Sequence, residues 1–120
     1  IFSIYPNKVA YFCKDNPILE NYSSNADYNL AGMVYGRHDG LTSLLPKINN
    51  GFIQGNFNPE HLLKSQSEFE LHMESFVDQM SRLSNHERSG WICSLNHGVL
   101  PKSKEENVTH FIKTIRENFK

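Results

Sequence analysis

No apolar run in this 120-residue chain approaches the ~18 residues that a membrane-spanning helix requires. Cysteine is nearly absent: Cys13 and Cys93 each sit inside an apolar run, with no Cys or His at zinc-ligand spacing and no disulfide framework. That scarcity points to a reducing compartment, and the cytoplasm is the expected location. Ile1 to Tyr5 lack the basic region, apolar stretch and small residues of a secretory signal. The absence of an initiator Met, with Ile1 leading straight into Phe2 and Ile4, predicts a chain cut from a longer one. Neither sign of charge dominates. Twelve Lys and Arg face thirteen Asp and Glu, for a net charge of -1, so nothing draws the chain to a nucleic-acid backbone or an anionic bilayer. There is no GxGxxG, Walker, HExxH or Gly-x-Ser-x-Gly pattern, which removes the footing for nucleotide, zinc-protease and serine-hydrolase chemistry. The triplets Asn21-Tyr22-Ser23 and Asn107-Val108-Thr109 match a glycosylation pattern that arises often by chance, and both are discounted.

What the chain does have is a core's worth of bulk. Eight Phe, five Tyr and one Trp within 38% apolar residues describe a single domain over 1–120. Short β-branched or aromatic runs recur, each followed by a turn and a segment with helical spacing. Lys8 to Cys13 reads as a first strand, with Asn16-Pro17 opening a short helix over Ile18 to Tyr22. Ala31 to Tyr35 reads as a second, followed by a helix from Leu41 to Ile48 whose second half Pro46 disturbs. Gly51 to Asn56 is the third. Ser65 with Glu68 forms a capping box before a long helix carrying Phe69, Met73, Phe76, Val77, Met80 and Leu83 on one face. Trp91 to Leu95 is the fourth, and a second capping box of Ser103 and Glu106 opens a helix that buries Val108, Phe111, Ile112, Ile115 and Phe119. Strands alternating with helices imply a parallel sheet. Four βα units are about half of a (β/α)₈ TIM barrel, or a small open α/β sheet.

In such folds the loops after strand C-termini gather on one face and carry the chemistry. Two of them are polar here: Gln54-Gly55-Asn56-Phe57-Asn58-Pro59 and Ser94-Leu95-Asn96-His97-Gly98-Val99-Leu100-Pro101. His97 is the candidate side chain, because imidazole both donates and accepts near neutral pH and suits a carboxylate-bearing substrate or proton transfer. The alternative is a turn histidine bonded to a neighbouring carbonyl, and the sequence alone weighs the two equally. His61, His72 and His110 fall in or near helices, where solvation or packing is expected of them. His38 with Asp39 follows a strand and is placed to orient a charge, but a helix N-cap is the simpler account of Asp39.

These two loops, with Glu105-Glu106-Asn107-Val108 after the second, resemble the uroporphyrinogen decarboxylase family in residue type, order and spacing. The resemblance spans about Lys8 to Phe119 and implies the C-terminal part of that family's barrel. It departs from the family pattern at Asn58, where Asp is usual, at Ser94 and Asn96, and at Val34-Tyr35-Gly36-Arg37, where Gly-x-Asp-Trp is common. It implies cofactor-free removal of four acetate carboxyl groups from uroporphyrinogen to give coproporphyrinogen in haem biosynthesis, by a homodimeric enzyme. The family's key Asp and Arg residues belong to its N-terminal part, and only the loop histidine maps here, onto His97, in substrate-carboxylate binding or proton movement. The 120-residue chain alone is therefore expected to be inactive. Two other readings compete. One is a cobalamin-linked methyltransferase of the same superfamily, which would need a zinc-ligand cluster absent from the His97-Gly98-Val99 loop. The other is a non-catalytic half barrel serving assembly.

Overall fold

The computed structural model describes residues 4–13, 30–37, 39–48 and 50–120. Four strands, β1 (Ala10–Cys13), β2 (Gly32–Tyr35), β3 (Phe52–Phe57) and β4 (Trp91–Leu95), form one sheet in the order β1-β2-β3-β4. Every neighbouring pair is parallel. Sequential parallel neighbours are the arrangement of consecutive units in a (β/α)₈ barrel, so the α/β architecture expected from the strand–helix alternation is the one observed. The helix expected over Ile18 to Tyr22, and His38, lie outside the described residues.

The strand edges follow from the residues. β4 runs from Trp91 to Leu95, between Gly90 and Asn96, and β3 extends one residue beyond the expected end, to Phe57, because Phe57 packs into the core. Gln54, Gly55 and Asn56 thus belong to the strand itself and not to the loop after it. Between β2 and β3, helix α1 (Leu41–Leu44) passes directly into a 3-10 turn, Leu45–Lys47, with Pro46 in its first turn. The missing N–H and fixed φ of Pro46 are tolerated there but not inside a longer α-helix. Asp39 does not cap α1. Gly40 holds the N-cap position at φ 80°, while the Asp39 carboxylate turns to Arg37 instead.

Helix α2 (Gln66–Ser81) links β3 to β4, and α3 (Glu105–Asn118) follows β4. At the start of α2 the Ser65 hydroxyl accepts from the Glu68 amide and donates to the Glu68 carboxylate, completing the expected box. The box expected of Ser103 and Glu106 does not form. The Lys104 amide is taken by the Leu62 carbonyl, α3 begins one residue later than that pattern requires, and the Ser103 hydroxyl is buried with no hydrogen-bond partner. Reciprocal bonds of that kind occur instead between Ser84 and Glu87, where each amide donates to the other's side chain and a single turn leads toward β4.

The helices cover one face of the sheet. Met33, Tyr35, Leu41, Leu45, Ile53 and Met80 form one buried cluster. Phe57, Leu62, Phe69 and Met73 form a second, with Phe76 packed against both. Phe57 is the centre of the second cluster, edge-on to Phe69 and Phe76 and tilted against Phe111. On α3, Val108, Phe111 and Ile115 pack inward as expected, but Ile112 is exposed. Asn107 takes the fully buried place on that helix.

Strand periodicity turns the alternate residues to the opposite face. The register sets Ala10, Gly32 and Phe52 in one row there, and Phe12, Val34, Gln54 and Ile92 in the next. No described helix covers these rows: Phe12 is 55% and Ile92 45% exposed, while Met33 and Ile53 on the helical face are at 0%.

Candidate functional site

Because the strands are parallel, all their C-terminal ends open onto one rim. There the described loop residues are 36–37 and 39–40 after β2, 58–64 after β3 and 96–104 after β4. Long-range polar contacts tie them together. The loop after β4 begins with the Asn96 amide donating to the Phe57 carbonyl at 3.0 Å, which extends the β3–β4 ladder by one step. It ends with the Lys104 amide donating to Leu62. Asn107 then donates both amide hydrogens across, to Leu62 and Lys64 at 3.2 and 2.9 Å. The two loops singled out in the sequence are therefore braced against each other. This use of the Asn107 amide also leaves it no role as a glycan acceptor in the fold.

His97 lies on this rim, partly exposed, two residues beyond β4. Its Nδ1 is 3.0 Å from the Gly98 carbonyl oxygen. A carbonyl only accepts, so the contact assigns the proton to Nδ1 and leaves Nε2 as the edge available to a ligand. The turn contact and a ligand-facing role are thus compatible in one ring. Asn58, where the family favours Asp, accepts from the Glu60 amide at 3.0 Å and caps the 3-10 turn Pro59–Leu63. A carboxylate would cap equally well, so this departure keeps the loop's geometry. Ser94, in register with Asn56, donates to the Leu95 carbonyl at 2.7 Å.

Contacts that local spacing does not show hold the residues after β2. Asn56 donates to the Arg37 carbonyl at 3.0 Å, and the Tyr35 hydroxyl donates to the Asp39 carbonyl at 2.5 Å. Burial pushes the Tyr35 hydroxyl above its ordinary pKa, with Arg37 opposing and Asp39 adding to the shift, so it stays a donor at neutral pH. Gly55, at φ 146°, lies so close to β2 that a Cβ would stand 3.0 Å from the Tyr35 carbonyl oxygen. Its carbonyl accepts from the Trp91 indole at 2.7 Å.

Three other histidines are engaged in packing. His61 stacks on His72 with ring centroids 3.6 Å apart, and His110 meets Phe69 edge-on. Burial pushes the Cys93 thiol up to about 12, so it is not a nucleophile at neutral pH. Among the described residues no three His, Cys, Asp or Glu side chains are grouped to hold a metal ion. A groove of about 480 Å³ between α2 and α3, lined by Glu70, Met73, Val77 and His110 among others, belongs to the outer helical layer and does not include His97.

Consecutive parallel βα units with a polar rim at the strand ends define a barrel-type α/β protein. Its sequence relationships are specific: the uroporphyrinogen decarboxylase (URO-D) family model matches residues 3–118, and the chain belongs to that family. It is 32% identical to a uroporphyrinogen decarboxylase of Orientia tsutsugamushi (strain Ikeda) over 92 residues, 77% of this chain and 23% of the relative. To that of Chlamydia muridarum it is 35% identical over 65 residues, 54% of this chain and 18% of the relative. To that of Chlamydia trachomatis serovar L2 (strain ATCC VR-902B / DSM 19102 / 434/Bu) it is 38% identical over 58 residues, 48% of this chain and 16% of the relative. The matched stretch thus spans less than a quarter of the length of these relatives. No described helix is long and apolar enough to cross a membrane.

Proposed function

We propose that this chain forms the C-terminal βα units of a uroporphyrinogen decarboxylase, a carboxy-lyase that removes the four acetate carboxyl groups of uroporphyrinogen III to give coproporphyrinogen III. The family match over residues 3–118 carries this reading. The chemistry asks little of a cofactor. A proton delivered to a pyrrole α-carbon makes an iminium-like cation, which accepts the electron pair released when the acetate C–C bond breaks and CO₂ departs. The protein's task is to hold the other carboxylates and to stabilise that cation.

In this reading His97 binds a substrate carboxylate or assists proton movement through Nε2, with Nδ1 oriented by the Gly98 carbonyl. The groups that stabilise the cation come from βα units outside this chain, so the 120-residue polypeptide by itself does not decarboxylate. The enzyme is cytoplasmic and works as a homodimer.

Steady-state assay of the full-length protein tests the site. His97→Ala and His97→Asn are expected to lower turnover by ~10²-fold or more, the usual range for a lost acid–base group, or to raise KM if the role is binding. Wild-type kinetics in both variants would remove His97 from the mechanism.

A further inference from the structure

We propose that Arg37 is a second carboxylate-binding residue of this rim, and that Asp39 is an internal anion holding its guanidinium until a substrate carboxylate displaces it. The inference rests on the reading above and deepens it.

Arg37 and Asp39, after β2, are held through their backbone carbonyls while their charges are left outside. Two well-buried donors, Asn56 at 7% and Tyr35 at 4% exposure, grip the carbonyls of Arg37 and Asp39. Gly40 closes the loop against Tyr35, where a Cβ would stand 2.7 Å from the hydroxyl. Arg37 and Asp39 themselves remain 52% and 77% exposed at the side chain. A guanidinium offers five N–H donors in a fork that fits a carboxylate two at a time. Among the described residues Arg37 uses one, Nε, at 3.3 Å from one oxygen of Asp39. A long, single, exposed contact of that kind is weak and easily exchanged for a two-pronged one.

Position supplies the second argument. Asn56, which anchors Arg37, is in register with Ser94, which stands three residues before His97. Neighbouring strands lie about 4.8 Å apart, so the axes of β2 and β4, which Arg37 and His97 each follow by two residues, are roughly 10 Å apart on one rim. One ligand bearing several carboxylates spans that interval, whereas a single carboxylate engages only one end.

The test is binding of uroporphyrin, an octacarboxylate, to the full-length protein, followed by porphyrin fluorescence, with coproporphyrin as the tetracarboxylate comparison. Arg37→Ala is expected to raise Kd for uroporphyrin about 5- to 10-fold, the scale of one charge-assisted pair at a half-exposed site. Arg37→Lys, which keeps the charge without the fork, falls between. Asp39→Asn is expected to lower Kd, and that gain disappears in the Arg37→Ala background. Opposite signs for neighbouring substitutions are a signature that loss of loop structure does not produce, since both backbone carbonyls survive. If His97→Ala weakens uroporphyrin binding while Arg37→Ala and Asp39→Asn leave it unchanged, or shift it the same way, the Arg37 role is overturned and the parent reading stands. If the wild-type protein does not retain uroporphyrin at all, the parent reading itself fails.

Discussion

Asn107 is a buried amide whose two hydrogens meet the carbonyls of Leu62 and Lys64, 45 and 43 residues earlier in the chain. The Leu62 carbonyl also accepts from the Lys104 amide, so Asn107 adds a second donor there and supplies one to Lys64 at the end of a 3-10 turn. Removing it takes one donor from each of these two packed carbonyls, and a buried acceptor left short of a donor costs more than the net value of the bond lost. Asn107→Ala is therefore expected to destabilise the fold by ~1–3 kcal/mol in urea titration. Asn107→Asp should cost more, because it sets a carboxylate against two carbonyl oxygens in place of two donors. In the sequence this Asn is only a sequon residue beside an apparent capping box. Nothing local tells that it reaches back to another loop, and the same is true of Asn56 reaching Arg37. That His97 falls in a loop is legible because glycine and proline punctuate that stretch, whereas the presentation of Arg37 depends on donors from β2 and β3 that no local spacing shows.

Helix α2 shows where local pattern suffices and where it stops. Its inward stripe obeys helical spacing, with Phe69, Met73 and Met80 buried, and its start is written in the Ser65–Glu68 pair. Its end is not. The carbonyls of Met80 and Leu83 accept from Arg88, a residue of the following turn that also stacks over Phe119, and no spacing rule anticipates that contact. Strands were legible to within one or two residues, because β-branched and aromatic runs between turn residues mark them. The Ser103–Glu106 pattern misled because docking of Lys104 and Asn107 onto the preceding loop sets where α3 begins. The Ser65 box carries a pH signature. Its hydrogen bonds from the Ser65 hydroxyl and amide hold the Glu68 carboxyl below its ordinary value of 4.5. A carboxyl lowered on folding stabilises the native state above its unfolded pKa, and that contribution is lost as pH falls through the folded value. Ser65→Ala, which removes the cap, is expected to lower stability at neutral pH. It should also flatten the stability loss below pH 4.5, read as paired urea midpoints across pH 3 to 7.

At the scale of the molecule, the described helices cover the sheet on one side alone. The rows formed by Phe12, Val34, Gln54 and Ile92, and by Gly32 and Phe52, are those that a closed barrel would turn inward. Both outer strands also keep a free hydrogen-bonding edge among the described residues, since β1 pairs with β2 alone and β4 with β3 alone. An apolar sheet face with open parallel edges is the feature that natural folds avoid leaving in water, because it templates association. The 120-residue polypeptide is accordingly expected to bind an apolar dye and to elute above its monomer mass of 13.9 kDa at micromolar concentrations. The double substitution Phe12→Lys with Ile92→Lys should return it toward monomer by charging that face. In the full-length protein the same pair should do the reverse, lowering yield and stability, since lysines enclosed in a barrel interior lack water and partners. A change of sign between the two contexts separates an inward-facing sheet surface from a permanently solvated one. A wild-type chain that stays monomeric and binds no dye would show that these rows are not a face awaiting cover.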